Sequence, residues 1–149
     1  MFYYFAYGSN ISQHRMLIER KINFTYRKFA VLENYKLVFN KVSKKNCYLG
    51  FANIVKSQGD FVEGALYEID DMQLSTIDKF EGYSTHYLRN IVSVLCEGET
   101  ISAIVYVANP IMIRENILPD KAYLNYILEG KDLFSVDYYN KLLNTKTLD

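Results

Sequence analysis

Hydrophobic residues fall along most of this chain in short β-prone blocks divided by turn-forming residues and two helical stretches, and after Pro110 the pattern turns helical. The first block, MFYYFAY, is apolar and rich in aromatics and predicts a short buried strand that stops at Gly8-Ser9-Asn10. SQHRMLIER follows with helical character and Ser12 as its cap. KFAVLENYKLVFNKV reads as strands with a bend at Glu33-Asn34. GFANIVKS, FVEGALYEI, YLRNIVSVLC and ISAIVYVA are further β-prone runs, separated by turn signals at Gln58-Gly59-Asp60 and Glu97-Gly98-Glu99. In IDDMQLSTIDKF, Asp70 or Asp71 can cap a helix whose Met72, Leu74, Ile77 and Phe80 face inward. LPDKAYLNYILEG predicts a helix closed by a Gly130 C-cap, and SVDYYNKLLN a last one. About six strands with helices after and between them suit an α+β chain, a small mixed β-barrel carrying helices on its outside.

Composition narrows the class. With 149 residues, half of them hydrophobic and 15% aromatic, residues 1–149 suit a single domain with a real core. Seventeen basic residues balance seventeen acidic ones, which gives no reason to expect nucleic acid as a partner. No apolar run reaches the ~18 residues of a membrane span, and no signal-peptide pattern opens the chain, so a cytoplasmic protein without membrane contact is expected. Cys47 and Cys96 form neither a disulfide framework nor a metal knuckle, and His14 and His86 lie far apart. No metal and no cofactor is expected.

Two local features carry candidate chemistry. Gly8, Ser9 and Asn10 pass from a strand into a helix, where backbone N–H groups can converge on an anion such as a carboxylate. The same residues also suit a plain tight turn, with Gly8 at positive φ and Ser9 or Asn10 as a cap. Glu81 follows an apolar helix and precedes Gly82, which fits a solvated helix end as well as an acid/base group. Glu63, Glu68, Asp70, Asp71 and Asp78 compete with it, and residue type alone does not choose.

Taken in order, FAYGSN, GFANIVKSQGDFVEGALYEI, LSTIDKFEG, YLRNIVSV and YILEGKDLFSVDYYNKL resemble the γ-glutamylcyclotransferase family and its AIG2-like relatives over almost the whole chain. Tyr7-Gly8-Ser9-Asn10 and Glu81-Gly82 are the most specific parts, supported by Gly64-x-Leu66-Tyr67. The resemblance implies a small mixed barrel with a pocket at one mouth, no cofactor, and a small-molecule γ-glutamyl substrate turned over by a monomer or homodimer. It makes Glu81 the catalytic acid and base. Substrate binding would fall to Tyr7, Gly8, Ser9 and Asn10, with Tyr106 and Tyr123 completing the pocket.

That chemistry explains the lack of a Ser-His-Asp or Cys-His constellation. A γ-glutamyl amide carries its own nucleophile, the α-amine, which closes on the γ-carbonyl to give 5-oxoproline and a free amine. The enzyme supplies orientation, which can lower the barrier by ~7–11 kcal/mol, and a base for an ammonium of pKa ~8. Substrates would be γ-glutamyl amino acids or γ-glutamylamines. Two alternatives remain, a non-catalytic carboxylate-binding module of the same fold and an amidase in which Glu81 activates water. The Lys-rich stretch NKVSKKNCY is expected as a solvated loop. YGSN departs from the YGSL turn of the glutathione-specific branch, which disfavours glutathione.

Overall fold

The computed structural model describes residues 1–149. Five strands close into a barrel in the order β1-β3-β2-β4-β5. They are β1 (Phe2–Ala6), β2 (Arg27–Val42), β3 (Gly50–Ile69), β4 (Tyr87–Cys96) and β5 (Glu99–Ala108). β1 runs antiparallel to β3, from Phe2 opposite Ile69 to Ala6 opposite Ala65, and closes the barrel by pairing parallel to β5 at Tyr4 and Ile104. Wedged between two strands, β1 buries Tyr4, Phe5 and Ala6 in succession, which is why its sequence is a continuous apolar run and not an alternation.

The Glu33-Asn34 bend lies inside one long strand. Register with β3 shifts between Glu33 and Tyr35, and Asn34 takes φ 64°. The turn expected at Gln58-Gly59-Asp60 does not divide the opposing run. Residues 57–60 form a bulge facing Asn34, with Gly59 at φ 87° and its N–H donating to Asn34 Oδ1 at 3.1 Å. One strand therefore replaces the expected two on each side, and five strands complete the sheet. Gly64 is where the Phe5 ring crosses β3, and a Cβ there would come within 2.9 Å of that ring and 2.4 Å of the Ala6 carbonyl.

Three α-helices, α1 (Asp71–Glu81), α2 (Lys121–Leu128) and α3 (Val136–Leu143), flank the barrel. Asp70 caps α1 in a reciprocal pair with Gln73, its carboxylate accepting the Gln73 N–H at 2.8 Å and its own N–H donating to Gln73 Oε1 at 3.0 Å. Leu74 and Ile77 of α1 are buried, but Met72 and Phe80 face outward, so the apolar stripe is narrower than expected. α3 starts at Ser135, whose backbone N–H and hydroxyl donate to buried Glu63 of β3 at 2.7 and 2.6 Å. Between β1 and β2 the expected α-helix is a π-turn at Arg15–Glu19, although Ser12 Oγ does accept the Arg15 N–H at 3.0 Å. No helix is long and apolar enough to cross a membrane.

Gly130 is not a helix cap. α2 ends at Leu128, and Gly130 sits in the following 3-10 turn pressed against Ile11. A Cβ at Gly130 would lie 2.3 Å from Ile11 Cγ2 and 2.9 Å from the Phe134 ring. Gly130→Ala is therefore expected to destabilise the protein by ~1–3 kcal/mol, the scale of overpacking a close-packed contact. Urea denaturation measures it, and an unchanged midpoint would show that Ile11 yields without cost.

Candidate active site

One end of the barrel opens into a cavity of about 470 Å³. Its floor and walls come from residues far apart in sequence that the barrel end brings together: the turn after β1, the end of α1, and the ends of β2 to β5. Tyr7, Gly8, Ser9, Glu81, Tyr106 and Tyr123 all line it. Asn10 does not. It sits behind the wall, 3% exposed, and works through its side chain.

The turn is held from below. Tyr67 OH donates to the Asn10 carbonyl at 2.7 Å, and Arg27 in turn donates to Tyr67 OH at 3.3 Å and to the Ile11 carbonyl at 2.7 Å. Gly8 takes φ −109° and ψ −140°, so the positive φ of the plain-turn reading is absent. Space, not handedness, calls for glycine here, because a Cβ would meet Ala52 Cβ and Tyr123 OH at 3.2 Å. The Gly8 N–H donates to no other protein group. Gly8 lines the cavity beside Tyr123, whose hydroxyl accepts the Ala52 N–H at 3.1 Å.

Glu81 is the last residue of α1, and Gly82 ends that helix in the left-handed conformation at φ 63°. A side chain at Gly82 would also collide with the His86 ring, 2.9 Å from Cδ2. The Glu81 carboxyl accepts a hydrogen bond from Asn10 Nδ2 at 3.3 Å. The same amide group donates to Tyr4 OH at 3.0 Å, while Asn10 Oδ1 accepts from Arg20 Nε at 3.1 Å. Burial pushes the Glu81 pKa up to about 7, and Arg20, Arg15 and Lys41 pull against that rise. The carboxyl is therefore poised to gain and lose a proton near neutrality.

The surrounding phenols are fixed donors. Tyr7 OH donates to the Tyr106 carbonyl at 2.5 Å, Tyr106 OH to Asp78 at 2.5 Å, and Tyr87 OH to the Ala52 carbonyl at 2.8 Å. Burial raises the pKa of Tyr7, Tyr87 and Tyr106, and that of Tyr123 to about 12, so all four stay neutral at physiological pH.

Sequence reasoning missed the cationic side of the cavity. Arg15 and Arg20 reach it from the π-turn, with Arg20 stacked 4.2 Å over the Phe80 ring. The Lys-rich stretch is no solvated loop throughout, because Lys41, Ser43, Lys44 and Lys45 line the wall and Lys41 is 3% exposed. His86 joins them, with Nδ1 buried and unpartnered. No local signal marked Lys41, because a register shift between Val38 and Lys41 breaks the alternation of β2 and places Lys41 opposite Phe51.

Residues 4–129 match the family model described as gamma-glutamyl cyclotransferase, AIG2-like. The chain belongs to this family. A gamma-glutamylcyclotransferase from Bos taurus is 31% identical over 148 residues, covering 95% of this chain and 77% of the relative. Its Homo sapiens counterpart is 27% identical over the same shares. A solved gamma-glutamyl cyclotransferase structure superposes with a TM-score of 0.87 at 28% identity, covering 99% of this chain and 89% of that one. The closed barrel with flanking helices is thus the γ-glutamyl cyclotransferase fold, and the protein is an enzyme of that type.

The raised pKa of Glu81 has a measurable consequence for stability. Between about 4.5 and 7 the unfolded chain releases a proton that the folded protein keeps, so the Glu81 contribution to stability falls as pH rises across that window. Glu81→Gln is expected to be more stable than wild type by roughly 2–4 kcal/mol at pH 8 and equal to it at pH 4. Chemical denaturation at both pH values tests this, and a difference that does not vary with pH would place the carboxyl in ordinary solvated surroundings.

Proposed function

We propose that this chain converts γ-glutamyl amino acids or γ-glutamylamines into 5-oxoproline and a free amine, with Glu81 as the base and then the acid. The observation that carries the reading is a single carboxyl, tuned to about 7, in a cavity that also holds an unused backbone donor at Gly8. The cavity volume lies in the range of small-molecule sites. Family membership supports the reaction class.

In this reading the Gly8 N–H binds an oxygen of the glutamyl unit, and the Tyr123 hydroxyl beside it narrows the slot. The bound chain folds so that its α-amine meets the γ-carbonyl carbon, which replaces a bimolecular encounter with an oriented one. Glu81 as carboxylate takes a proton from the α-ammonium, and the freed amine attacks. The C–N bond of the five-membered ring forms, and charge collects on the carbonyl oxygen. Glu81, now protonated, gives its proton to the departing nitrogen as the original amide bond breaks. The ring nitrogen still carries a second proton, which the regenerated carboxylate removes and passes to the released amine; the amine leaves as its ammonium, the carboxylate is restored, and atoms and charge balance without water. A pKa near 7 suits both halves, because a group much more acidic could not return the proton and one much less acidic could not remove it.

Asn10 fits here as a positioning residue. Its side chain fixes Glu81 through one donor hydrogen and Arg20 through its oxygen, so the base and its nearest cation are set by one amide.

Glu81→Gln is expected to lower turnover by ~10²–10⁴-fold while 5-oxoproline still binds, the usual scale for a lost general acid/base. Wild-type kcat/KM should fall about tenfold per pH unit below about 7. Gly8→Val should weaken substrate binding through lost space, and unchanged affinity in a folded variant would remove Gly8 from the site. The cyclisation itself is tested by acetylating the substrate α-nitrogen. The acetylated compound should inhibit without being cleaved, whereas release of N-acetylglutamate would mean that Glu81 directs water and the enzyme is an amidase.

A further inference from the structure

Lys41 is a cation without a counter-charge. Its side chain is buried, yet it makes no hydrogen bond or salt bridge to any protein group. The ammonium lies between the Phe51 and Tyr87 rings, 5.6 and 5.5 Å from their centroids, and it lines the cavity. Aromatic faces offset part of the loss of hydration, but a buried ammonium is retained at a cost to folding unless an anion arrives. Glu81 does not fill that role. The carboxyl interacts with Lys41 only over distance and is itself favoured in its neutral form by burial. Lys41, too, is depressed, to about 8, by burial and by Lys44.

Two more lysines stand beside it. Lys44 and Lys45 are exposed, line the same cavity and have no acidic partner, and His86 carries no carboxylate contact either. The arginine side of the cavity is different, since Arg15 lies near Glu19 at 3.9 Å and Arg20, fixed by Asn10, is the cation that acts most strongly on Glu81. Uncompensated positive charge is thus concentrated on the wall from β2 and the segment after it.

We infer that this wall receives the leaving group, that Lys41 is the specificity-determining residue pairing with its carboxylate, and that the preferred leaving group carries more than one carboxylate. An acidic amino acid or an acidic peptide joined through its amine to the γ-glutamyl unit is the matching class. Simple alkylamines and cationic amines are the mismatched one, because they leave Lys41 unpaired or add like charge to it. The inference rests on the proposed cyclisation only for which end of the substrate faces the wall.

The test compares γ-glutamyl-glutamate, γ-glutamyl-alanine, γ-glutamyl-alanine amide and γ-glutamyl-ethylamine in wild type, Lys41→Met and Lys41→Arg. Wild-type kcat/KM is expected to decline along that series, with the alanine acid preferred over its amide by about 10- to 100-fold, the scale of a charge-assisted hydrogen bond. Lys41→Met should bring the acid-to-amide ratio close to one, and Lys41→Arg should restore most of it. Met fills a similar volume without charge, so the variant is expected to fold, and its thermal midpoint should rise. Binding of the same compounds to Glu81→Gln is measured in parallel, because it reads the same ratio without any turnover. If no compound yields 5-oxoproline but the binding ratio follows Lys41, the cyclisation reading fails and the anion-selective wall stands. An acid-to-amide ratio that is near one in wild type, or unchanged in Lys41→Met, overturns the role given to Lys41.

Discussion

The side-chain amide of Asn10 is the interaction on which the rest of the site depends. It is buried, and each of its polar ends is spoken for, with Tyr4 and Glu81 receiving its hydrogens and Arg20 donating to its oxygen. A buried amide left unpaired costs ~1–3 kcal/mol, so the turn, the carboxyl and the guanidinium hold one another in a single arrangement. Below it, Tyr67 and Arg27 satisfy the carbonyls of the same turn. The cavity can therefore leave the Gly8 N–H without a protein partner while the side chains behind it are fixed.

Electrostatics at the cavity is a contest between burial and nearby cations. Burial favours the neutral forms of both Glu81 and Lys41, raising one and lowering the other toward neutrality. Two groups of opposite ordinary charge thus approach similar proton affinities within one small space. Cations from the π-turn and from β2 keep the carboxyl from rising further. The phenols move the other way, up and out of the working range, and serve as fixed walls and donors.

What the sequence made legible follows from local rules. The aromatic run of β1, the Asp70 cap and the position of Glu81 at the end of an apolar helix all depend on neighbours a few residues away. The order of the motifs then pointed to the family. Features set by long-range packing were hidden. Gly8 and Gly130 are required by the approach of Tyr123 and Ile11, residues more than a hundred positions distant, and no turn rule reports that. Residues 57–60 look like a hairpin turn because glycine serves a bulge equally well, and only the register with β2 distinguishes the two. Lys41 reads as solvent-facing by type, while an irregularity in its strand that only the pairing with β3 reveals leaves it buried beside Phe51. Charge is a poor guide wherever a barrel end leaves room for a ligand.

Closure of the barrel by β1 has a consequence for how the protein comes into being. The strand at the start of the chain is completed by a parallel pairing with β5, a hundred residues later, and neither partner can substitute for the other. Contacts of such long sequence separation form late, since the entropy of closing the loop must be overcome before they contribute. During synthesis β1 can pair with β3 well before β5 has been made, but its other edge stays open until then. The turn that carries Gly8 and Asn10 is continuous with β1, so a partly made chain has the Glu81 carboxyl on α1 without the full cavity around it. The cavity around Glu81 has all its walls only after β5 has joined β1 and α2 has brought Tyr123 against Gly8.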